Sequence, residues 1–288
     1  MLREVLQHLQ LQPGLIVVDG TVGAAGHSQE ILKQIGPTGT LIGLDRDPLM
    51  LGHAAKKLEA PNCHLVQSSY AQLPQVLAQL EIPAVDRILL DLGLSSDQLA
   101  DEERGFSFRS NGPLDLRFDV SKGVSAAEWL QRVDESELKQ ALEEFGEERH
   151  AGRIARHLVE HRRTKPIRSG VELADAVCEA LGIRGAPESR GGERHPATQV
   201  FQALRIAVNL ELQQLETALR GVLHDSLKPG GILAVISFHS LEDRLVKQSF
   251  RDAEQWEILL SKPVVARSAE QRLNPRSRSA KLRAVKRL

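Results

Sequence analysis

Cysteine and aromatic residues are scarce in this chain of 288 residues. The two cysteines, Cys63 and Cys178, lie far apart, and neither has a second Cys or a spaced His near it. This spacing indicates no disulfide framework and no zinc site, and the sequence predicts no metal. Aromatic residues make up 3% of the chain, so the core must be mostly aliphatic, and stacking platforms for single-stranded nucleic acid are nearly absent.

Long apolar runs and an excess of one charge are also missing. No run approaches the ~20 residues that a membrane span requires. The N-terminal residues MLRE do not lead into the apolar region of a signal peptide. The sequence therefore predicts a soluble, cytoplasmic protein with no membrane partner. The formal net charge is -1, so a nucleic-acid partner has to be argued from local clusters.

What the sequence does have is a glycine-rich turn between a strand and a helix. Residues 19–27 read DGTVGAAGH, after an apolar run at 15–18 and before a helical pattern that begins at Ser28. This order begins nucleotide-binding α/β folds. The spacing G-x-x-G-x-x-G differs from the G-x-G-x-x-G of dinucleotide enzymes, and Asp19 would repel a diphosphate but attract an amine or a sulfonium. The stretch predicts an S-adenosylmethionine (SAM) site; the alternative is a turn that binds no ligand.

Three further residues stand where predicted strands end. Asp45 ends the second strand, about 20 residues beyond the glycine turn, where a carboxylate binds a ribose diol. Asp47, followed by a proline, is the better cap for the next helix, which leaves Asp45 free for a ligand. Tyr70 follows the third strand, where its ring either stacks on an adenine or packs in the core, and Asp91 ends the fourth. Open α/β sheets bind ligands at the carboxyl ends of their strands, so we expect these residues and Asp19 to converge.

The alternation of strands and helices stops at residue 98 and resumes at residue 196. Residues 98–123 form a polar stretch too long for an ordinary connection and typical of lids, binding loops or disorder. Helical patterns follow, and we interpret 98–195 as an inserted helical substrate-recognition domain. Residues 1–97 and 196–288 form the SAM-binding domain, with one long helix at 197–223, a strand ending at Ser237, and two strands near 256–260 and 281–285.

The two last strands would close the far edge of the sheet, which is typical of class I methyltransferases. A plain dinucleotide-binding domain does not require them. The predicted fold class is therefore α/β: a Rossmann-like class I SAM-dependent methyltransferase sheet with an inserted all-helical domain.

Charge is distributed unevenly within the insertion. Residues 128–148 hold eight acidic and two basic residues, whereas residues 149–168 hold seven Arg and Lys and a single Glu. Such a run is often a solvated helix face. A second basic cluster near the C terminus and the arginines of residues 182–195 favour a surface that contacts phosphates. We predict phosphate contacts at Arg153, Arg156, Arg190 and Arg194.

Seven segments together resemble, in this order, the signature segments of the bacterial RsmH (MraW) family of ribosomal RNA methyltransferases. They read DGTVGAAGHS, LIGLDRDP, LLDLGLSSDQL, GPLDLRFD, HPATQVFQALRIAVNLEL, SFHSLEDRLVKQSF and NPRSRSAKLRAVKR. The resemblance covers nearly the whole chain, the insertion included. It implies SAM-dependent methylation of the exocyclic N4 of cytidine 1402 of 16S rRNA, in the decoding region of the small ribosomal subunit. The expected partner is therefore 16S rRNA or the small subunit, and a homodimer is compatible with the sequence.

The resemblance also implies site residues. The family's SAM contacts fall on Ala25, Gly26, His27, Asp45, Tyr70, Asp91 and Gln98. Ala25 stands where the family usually has Gly; its amide can still donate, so SAM binding should survive unless the residue needs a positive φ. Tyr70 replaces a Phe and keeps a ring for stacking, while the family's opening His-x-Pro-Val segment is not found before the Leu-x-Glu-Val of this chain.

Methyl transfer from SAM requires in-line alignment, exclusion of water and a pocket for a base that has left its stack. We predict that this pocket is lined by Ser95, Ser96, His195, Asn209 and Ser237, and we assign no catalytic base. One alternative is a DNA amino-methyltransferase, which would carry Asp/Asn-Pro-Pro-aromatic where this chain reads DLGL. The other is a non-catalytic RNA-binding or assembly factor with a vestigial SAM fold.

Overall fold

The chain divides into two compact units in the computed structural model, which describes residues 1–183 and 195–288. The first unit consists of Met1–Gly93 and Leu212–Leu288, and the second of Leu94–Glu211. Each unit has hydrophobic cores of its own, built mostly from aliphatic side chains as the composition predicts.

A mixed β-sheet forms the centre of the first unit. Among the described residues its strands are β1 (Ile16–Asp19), β2 (Thr40–Asp45), β3 (Cys63–Gln67), β4 (Val85–Asp91), β5 (Leu227–Ser237), β6 (Trp256–Ile258), β7 (Val264–Val265) and β8 (Lys281–Arg287). Their order is β3-β2-β1-β4-β5-β8-β6, and β7 pairs with β8. The first five strands of this order are parallel, whereas β8 pairs antiparallel with β5, β6 and β7.

Helices cover both faces of this sheet. Val17 and Val18 belong to different cores, because successive side chains of a strand point to opposite faces. The helices of this unit are α1 (Leu2–Leu9), α2 (Gly26–Ile35), α3 (Pro48–Ala55), α4 (Leu73–Gln79), α12 (Leu223–Ser226), α13 (Ser240–Ser249) and α14 (Ser268–Leu273), and α11 (Glu211–Thr217) leads into it. The parallel sheet with an antiparallel far edge is the predicted class I arrangement, and the fold prediction is confirmed.

The second unit is helical. It contains α5 (Ser96–Ala100), α6 (Ala126–Arg132), α7 (Glu135–Glu144), α8 (Ala151–Thr164), α9 (Gly170–Leu181) and α10 (Thr198–Asn209). The limits of this unit, Leu94 and Glu211, lie outside the predicted 98 and 195. The difference at the C-terminal side arises because α10 packs against α6 and α7 and so belongs to the core of this unit.

The stretch between α5 and α6 has little regular structure but is firmly packed. Phe106, Leu114 and Leu116 are buried in the core of the second unit. The guanidinium of Arg104 donates from Nη2 to the carbonyl oxygens of residues 117 and 118, at 2.6 and 2.9 Å. Of the three expectations for 98–123, disorder is not met, because apolar residues spaced irregularly along the stretch anchor it; a lid or a binding loop stays a prediction.

The predicted long helix at 197–223 is broken. α10 ends at Asn209 and Leu210 takes a left-handed φ of 53°, after which α11 begins. Phe201 and Leu204 pack in the core of the second unit, whereas Leu215 packs in a core of the first. The apolar stripe continues across the break because the residues before it pack in one core and the residues after it pack in another. The periodicity of the sequence therefore gives no sign of the break.

The helices of both units are modest in length. The longest among the described residues, α8, has 14 residues. None of the described helices is long and apolar enough to cross a membrane.

Candidate functional site

The carboxyl ends of β1 and β4 meet where the strand order reverses. Chain order runs outward from β1 through β2 to β3 on one side, and from β4 to β5 on the other. Ligands of open α/β sheets bind in the crevice at such a switch point. Asp19, Asp45, Asp91 and Ser237 end β1, β2, β4 and β5. The sheet therefore brings these four predicted positions to one edge.

The turn between β1 and α2 is tight at one glycine and open at another. A Cβ on Gly20 would lie 2.4 Å from Leu90 Cδ2 and 3.1 Å from Tyr70 Cβ. A Cβ on Gly26, the first residue of α2, would meet nothing within 4 Å. The first N–H groups of a helix lack intrahelical acceptors, and a helix N-terminus attracts negative charge. The space over Gly26 is therefore suited to an anionic group of a ligand.

Ala25 occupies a position that requires a positive φ. Its φ is 67° and its ψ is 25°, in the left-handed region. That conformation costs an L-residue about 1–2 kcal/mol, which explains the glycine that the family usually has there. The Ala25 N–H donates to Val22 O at 2.8 Å, and the side chain is fully buried. The amide is thus directed into the turn.

Asp19 is sealed inside the turn, which corrects the interpretation that it faces a sulfonium. The residue is 1% exposed. Its Oδ2 accepts a hydrogen bond from Ser28 Oγ at 2.6 Å, and its Oδ1 accepts one from the Thr21 N–H at 3.3 Å. Burial raises the pKa of the carboxyl group above its ordinary value. Asp19 therefore fastens β1 to the first turn of α2.

Asp45 holds the glycine turn and the start of α3 together. Its Oδ2 accepts from the Gly23 N–H and its Oδ1 from the Asp47 N–H, both at 2.9 Å. Asp47 caps α3 as predicted, accepting from the Leu49 N–H at 3.0 Å. Asp45 is therefore not left free, but each oxygen keeps a second lone pair that can accept from a hydroxyl group. Burial, the largest cause, raises the pKa of Asp45 to about 6.

Tyr70 lies beside the glycine turn. It begins a short 3-10 helix, Tyr70–Gln72, that Ser69 caps by accepting from the Ala71 N–H at 3.2 Å. Ser69 Oγ also donates to Gln214 Oε1 at 2.7 Å, which ties this segment to α11. The Tyr70 side chain is half-buried against the core that contains Val18. This placement agrees with both predicted alternatives, stacking on an adenine and packing in the core.

Asp91 and His27 form the polar centre of this edge. His27 Nδ1 lies 3.4 Å from Asp91 Oδ2, and the Asp91 N–H donates to Thr21 Oγ1 at 2.7 Å. Within the described parts of the chain, the buried atoms Asp91 Oδ1 and His27 Nε2 have no hydrogen-bond partner. Burial raises the pKa of Asp91 to about 7 and lowers that of His27. Buried polar atoms are nearly always paired, so these two are candidates to bond a polar group of a ligand.

The sequence analysis does not identify a His–Glu pair that follows β5. His239 Nδ1 accepts from the Glu242 N–H at 3.3 Å, and Glu242 Oε2 accepts from the Phe238 N–H at 2.8 Å. The buried Glu242 carboxylate adds to the rise in the Asp91 pKa, so the pair acts on the same edge. The signal that could have found it is the capping-box spacing of HSLE, an N-cap residue followed three residues later by Glu.

Several other predicted site residues make structural hydrogen bonds. In the second unit, Ser95 and Gln98 cap α5 reciprocally: each backbone N–H donates to the side-chain oxygen of the other at 3.0 Å. Ser96 is the first residue of α5. In the first unit, Ser237 is 2% exposed, and its Oγ points to Lys281 O at 3.5 Å. These bonds give Ser95 and Gln98 a local role in starting a helix.

Asn209 and His195 are buried in the second unit. Asn209 Oδ1 accepts from the Phe118 N–H at 2.8 Å, and Nδ2 donates to Leu116 O at 2.6 Å. The amide thus clamps the stretch before α6 to the end of α10. His195 stacks on Phe108 with a ring-centroid distance of 4.4 Å, and burial lowers the pKa of its imidazole.

Two of the four arginines predicted to contact phosphates belong to the described part of the chain. Arg153 and Arg156 are exposed on α8, and Arg156 Nε lies 3.5 Å from Glu135 Oε1. That pair is open to solvent and contributes little to stability. Arg190 and Arg194 lie outside the described residues. Arg153 and Arg156 are therefore accessible to a partner.

The chain is similar over nearly its full length to known ribosomal RNA methyltransferases. It is 47% identical to the "Ribosomal RNA small subunit methyltransferase H" of Trichlorobacter lovleyi, over 99% of this chain and 96% of the relative. A relative of the same name from Geotalea uraniireducens is 44% identical, over 100% of this chain and 97% of the relative. Among solved structures it resembles an rRNA methylase from Streptococcus thermophilus, with 12% identity, coverage of 100% and 92%, and a TM-score of 0.41.

The family is settled by a match over the entire sequence. The profile of the MraW methylase family matches residues 1–288. The predicted family is therefore confirmed, and with it the predicted class of SAM-dependent methyltransferases. The chain belongs to the MraW methylase family.

Proposed function

We propose that this chain transfers a methyl group from SAM to the N4 atom of cytidine 1402 in the 16S rRNA of the small ribosomal subunit. The observation that carries the proposal is the pair of buried, unpartnered atoms, Asp91 Oδ1 and His27 Nε2 among the described residues, beside an open helix N-terminus at the switch point of the sheet. The relatives are named as methyltransferases of small-subunit ribosomal RNA, which supports that substrate class. The choice of nucleotide and atom rests on the family resemblance.

The strand edge fits SAM group by group. Asp45 keeps lone pairs for the hydroxyl hydrogens of a ribose, and Tyr70 offers a ring face to an adenine. The amides of Gly26 and His27 in the first turn of α2 suit a carboxylate. The Asp91 carboxylate attracts the positive charge of a sulfonium. Ala25 and Gln98, whose amides serve the turn and the α5 cap, complete the proposed cofactor set.

The protein contributes alignment and charge to the reaction. Bound SAM supplies an activated methyl group, so the residues around it need to fix the geometry and exclude water. The cytosine N4 lone pair is delocalised into the ring, and a hydrogen-bond acceptor near the amino group favours its attack. The carboxylates of Asp91 and Glu242 give this edge a negative field of the required sign. We assign no catalytic base.

Two glycine variants distinguish the residues that shape the turn between β1 and α2 from those that leave space for its ligand. We expect Gly26→Ala to weaken SAM binding about tenfold, because its methyl group enters the space proposed for the ligand. The free energy of unfolding should stay the same or rise by up to about 1 kcal/mol, since Ala favours a helix. Calorimetry and thermal melting measure the two effects.

Gly20→Ala is the matched control for that variant. Its Cβ would collide with the fully buried Leu90 side chain, so we expect a loss of about 1–3 kcal/mol in unfolding free energy. If Gly26→Ala binds SAM as tightly as the natural chain does, SAM does not occupy the space over Gly26.

The exposed arginines of α8 provide a second prediction. Changing Arg153 and Arg156 together to Glu should lower the slope of log K against log salt for RNA binding by about two, one for each lost phosphate contact. SAM affinity should not change, because neither residue belongs to the strand edge. Filter binding of rRNA fragments over a range of salt measures the slope. Equal slopes for the two proteins would show that these arginines only solvate the helix.

A transfer assay tests the function itself. Small subunits from cells that lack the modification are incubated with the chain and SAM labelled in its methyl group. We expect label in 16S rRNA, and none when fully modified subunits are used. Absence of transfer by a chain that binds both SAM and subunits would favour a non-catalytic RNA-binding or assembly factor.

The DNA amino-methyltransferase alternative is disfavoured by the residues after β4. These read LGL after Asp91, without the two prolines and the aromatic residue that such an enzyme would carry. Duplex DNA in the same assay gives the direct comparison, and no label is expected in it. Sedimentation of the purified chain tests separately whether it forms a homodimer.

A further inference from the structure

A cluster of metal-binding side chains lies in the second unit, on helices α8 and α9. His157 and His161 are four residues apart on α8, so both imidazoles project from one face of the helix. Glu179 of α9 lies opposite them. Its Oε2 is 3.5 Å from His157 Nε2 and 3.8 Å from His161 Nδ1. One ligand atom from each of the three residues lies within 4.8 Å of the others.

These distances match the edges of a metal coordination polyhedron. Zinc binds imidazole nitrogen at about 2.0–2.1 Å and carboxylate oxygen at about 2.0–2.2 Å, so ligand atoms around a tetrahedral ion lie roughly 3.3–3.5 Å apart. The two His–Glu distances are within a few tenths of an ångström of that range. The two imidazole nitrogens lie within 4.8 Å of each other, so side-chain rotations that bring them closer together would complete the three protein ligands of a tetrahedral ion.

One imidazole nitrogen of the cluster, His157 Nε2, lacks a hydrogen-bond partner among the described residues. This nitrogen is buried, and the Glu179 carboxylate is its neighbour. Glu179 Oε2 lies 3.5 Å from this nitrogen with no hydrogen bond between them, and a cation between the two atoms would bind both. This orphaned nitrogen is an observation independent of the spacing, and it favours a bound cation.

The donor set selects the kind of ion. Two imidazoles and one carboxylate suit zinc and its transition-metal neighbours, whereas Ca²⁺ and Mg²⁺ require mostly oxygen ligands. A site with three protein ligands leaves a fourth position for water. Glu179 is 60% exposed, and His157 and His161 are 32% and 19% exposed, so an ion can enter from solvent. The prediction of no metal is wrong at this point if the site binds zinc, because the spacing around the two cysteines carries no information about His157, His161 and Glu179.

We propose that His157, His161 and Glu179 form a Zn²⁺ site that links α8 to α9. The ion adds to a shared ion pair and to the apolar packing between these two helices. Zinc therefore stabilises the helix that carries Arg153 and Arg156. This inference does not depend on the proposed methyltransferase activity.

Zinc titration of the full chain, first freed of metal with a chelator, tests the site. We expect one equivalent of Zn²⁺ to bind and to raise the melting temperature by about 5 °C at a hundredfold excess over the dissociation constant. Co²⁺ should give the intense visible absorption of a tetrahedral site, and Mg²⁺ and Ca²⁺ should have no effect. Glu179→Gln should weaken Zn²⁺ binding at least about 100-fold, since loss of a mere support of a ligand costs 10–100-fold.

Two further variants make the outcome decisive. His161→Ala should lose the binding and the melting shift as Glu179→Gln does, and the exposed Glu179 can be changed without disturbing the core. His53→Ala, which removes an exposed histidine in α3 of the first unit, should retain both. The proposal is overturned if the chain binds no stoichiometric zinc, or if both cluster variants bind it as tightly as His53→Ala does.

Discussion

Protonation of Asp91 alone should make SAM bind about 100-fold more weakly at pH 5 than at pH 8. Burial raises the pKa of Asp91 to about 7, and its ionised form is the one that attracts a sulfonium. Each pH unit below that pKa costs about tenfold in affinity when binding requires the ionised carboxylate. Calorimetry at pH 5, 6, 7 and 8 measures the trend, and proton release on binding should accompany it.

Asp91→Asn removes the titrating group and should flatten this profile. Affinity should be low at every pH, with a residual fall below about pH 6 from Asp45, whose pKa is raised to about 6. Asp225→Asn is the matched control, because Asp225 is 77% exposed on the surface of the same unit, and it should keep the full profile. A pH-independent affinity in the natural chain would remove Asp91 from the cofactor site.

The same carboxylates make the ligand-free chain less stable at higher pH. Their pKa values are raised in the folded chain from an ordinary 3.8. Their contribution to the free energy of unfolding is therefore fully present below about pH 4 and is lost as the pH rises through 6 and 7. Bound SAM should reduce this loss, because it favours the ionised forms.

Asp45→Ala should weaken SAM binding by about 1.5–3 kcal/mol, or roughly 10- to 150-fold, because it removes the charged acceptor for the ribose hydroxyl groups. The variant also leaves the N–H groups of Gly23 and Asp47 without their acceptor. We therefore expect the free energy of unfolding to fall by about 1–3 kcal/mol. Calorimetry on a sample that circular dichroism shows to be folded separates the two losses.

Asp47→Ala is the control that disturbs the same turn without the ribose contact. It removes the cap on α3 and should cost about 1 kcal/mol of stability. SAM affinity should stay within about twofold of the natural value. Unchanged SAM affinity in a folded Asp45→Ala chain would contradict the assignment of Asp45 to the ribose. An equal loss of affinity in Asp45→Ala and Asp47→Ala would also contradict it.

The strand edge could be predicted because strand ends are visible in the sequence. Apolar runs of strand length end at Asp45 and Asp91, and the alternation with helices indicates that neighbouring strands are parallel. Parallel strands of an open sheet have their carboxyl ends at one edge, so the convergence follows from topology alone. Caps were predictable for the same reason, since Asp47 and the proline after it act through adjacent backbone groups.

Features that depend on tertiary contacts could not be predicted. The burial of Asp19 follows from its bond to Ser28, and the left-handed φ of Ala25 follows from the path of the turn. The break at Leu210 leaves no trace in the apolar periodicity, because the residues on both sides pack into cores. Glu179 of α9 faces His157 and His161 of α8. No local sequence pattern indicates that these two helices are in contact.

The identity of the methylated nucleotide is the most direct test of the proposed methylation of 16S rRNA. Unmodified small subunits are incubated with the chain and SAM, and the 16S rRNA is digested and analysed by mass spectrometry. We expect a single methyl group on N4 of cytidine 1402, with Asp91→Asn strongly impaired and Asp225→Asn fully active. A methyl group on another nucleotide or another atom, or no methyl group from a chain that binds SAM, would contradict that proposal.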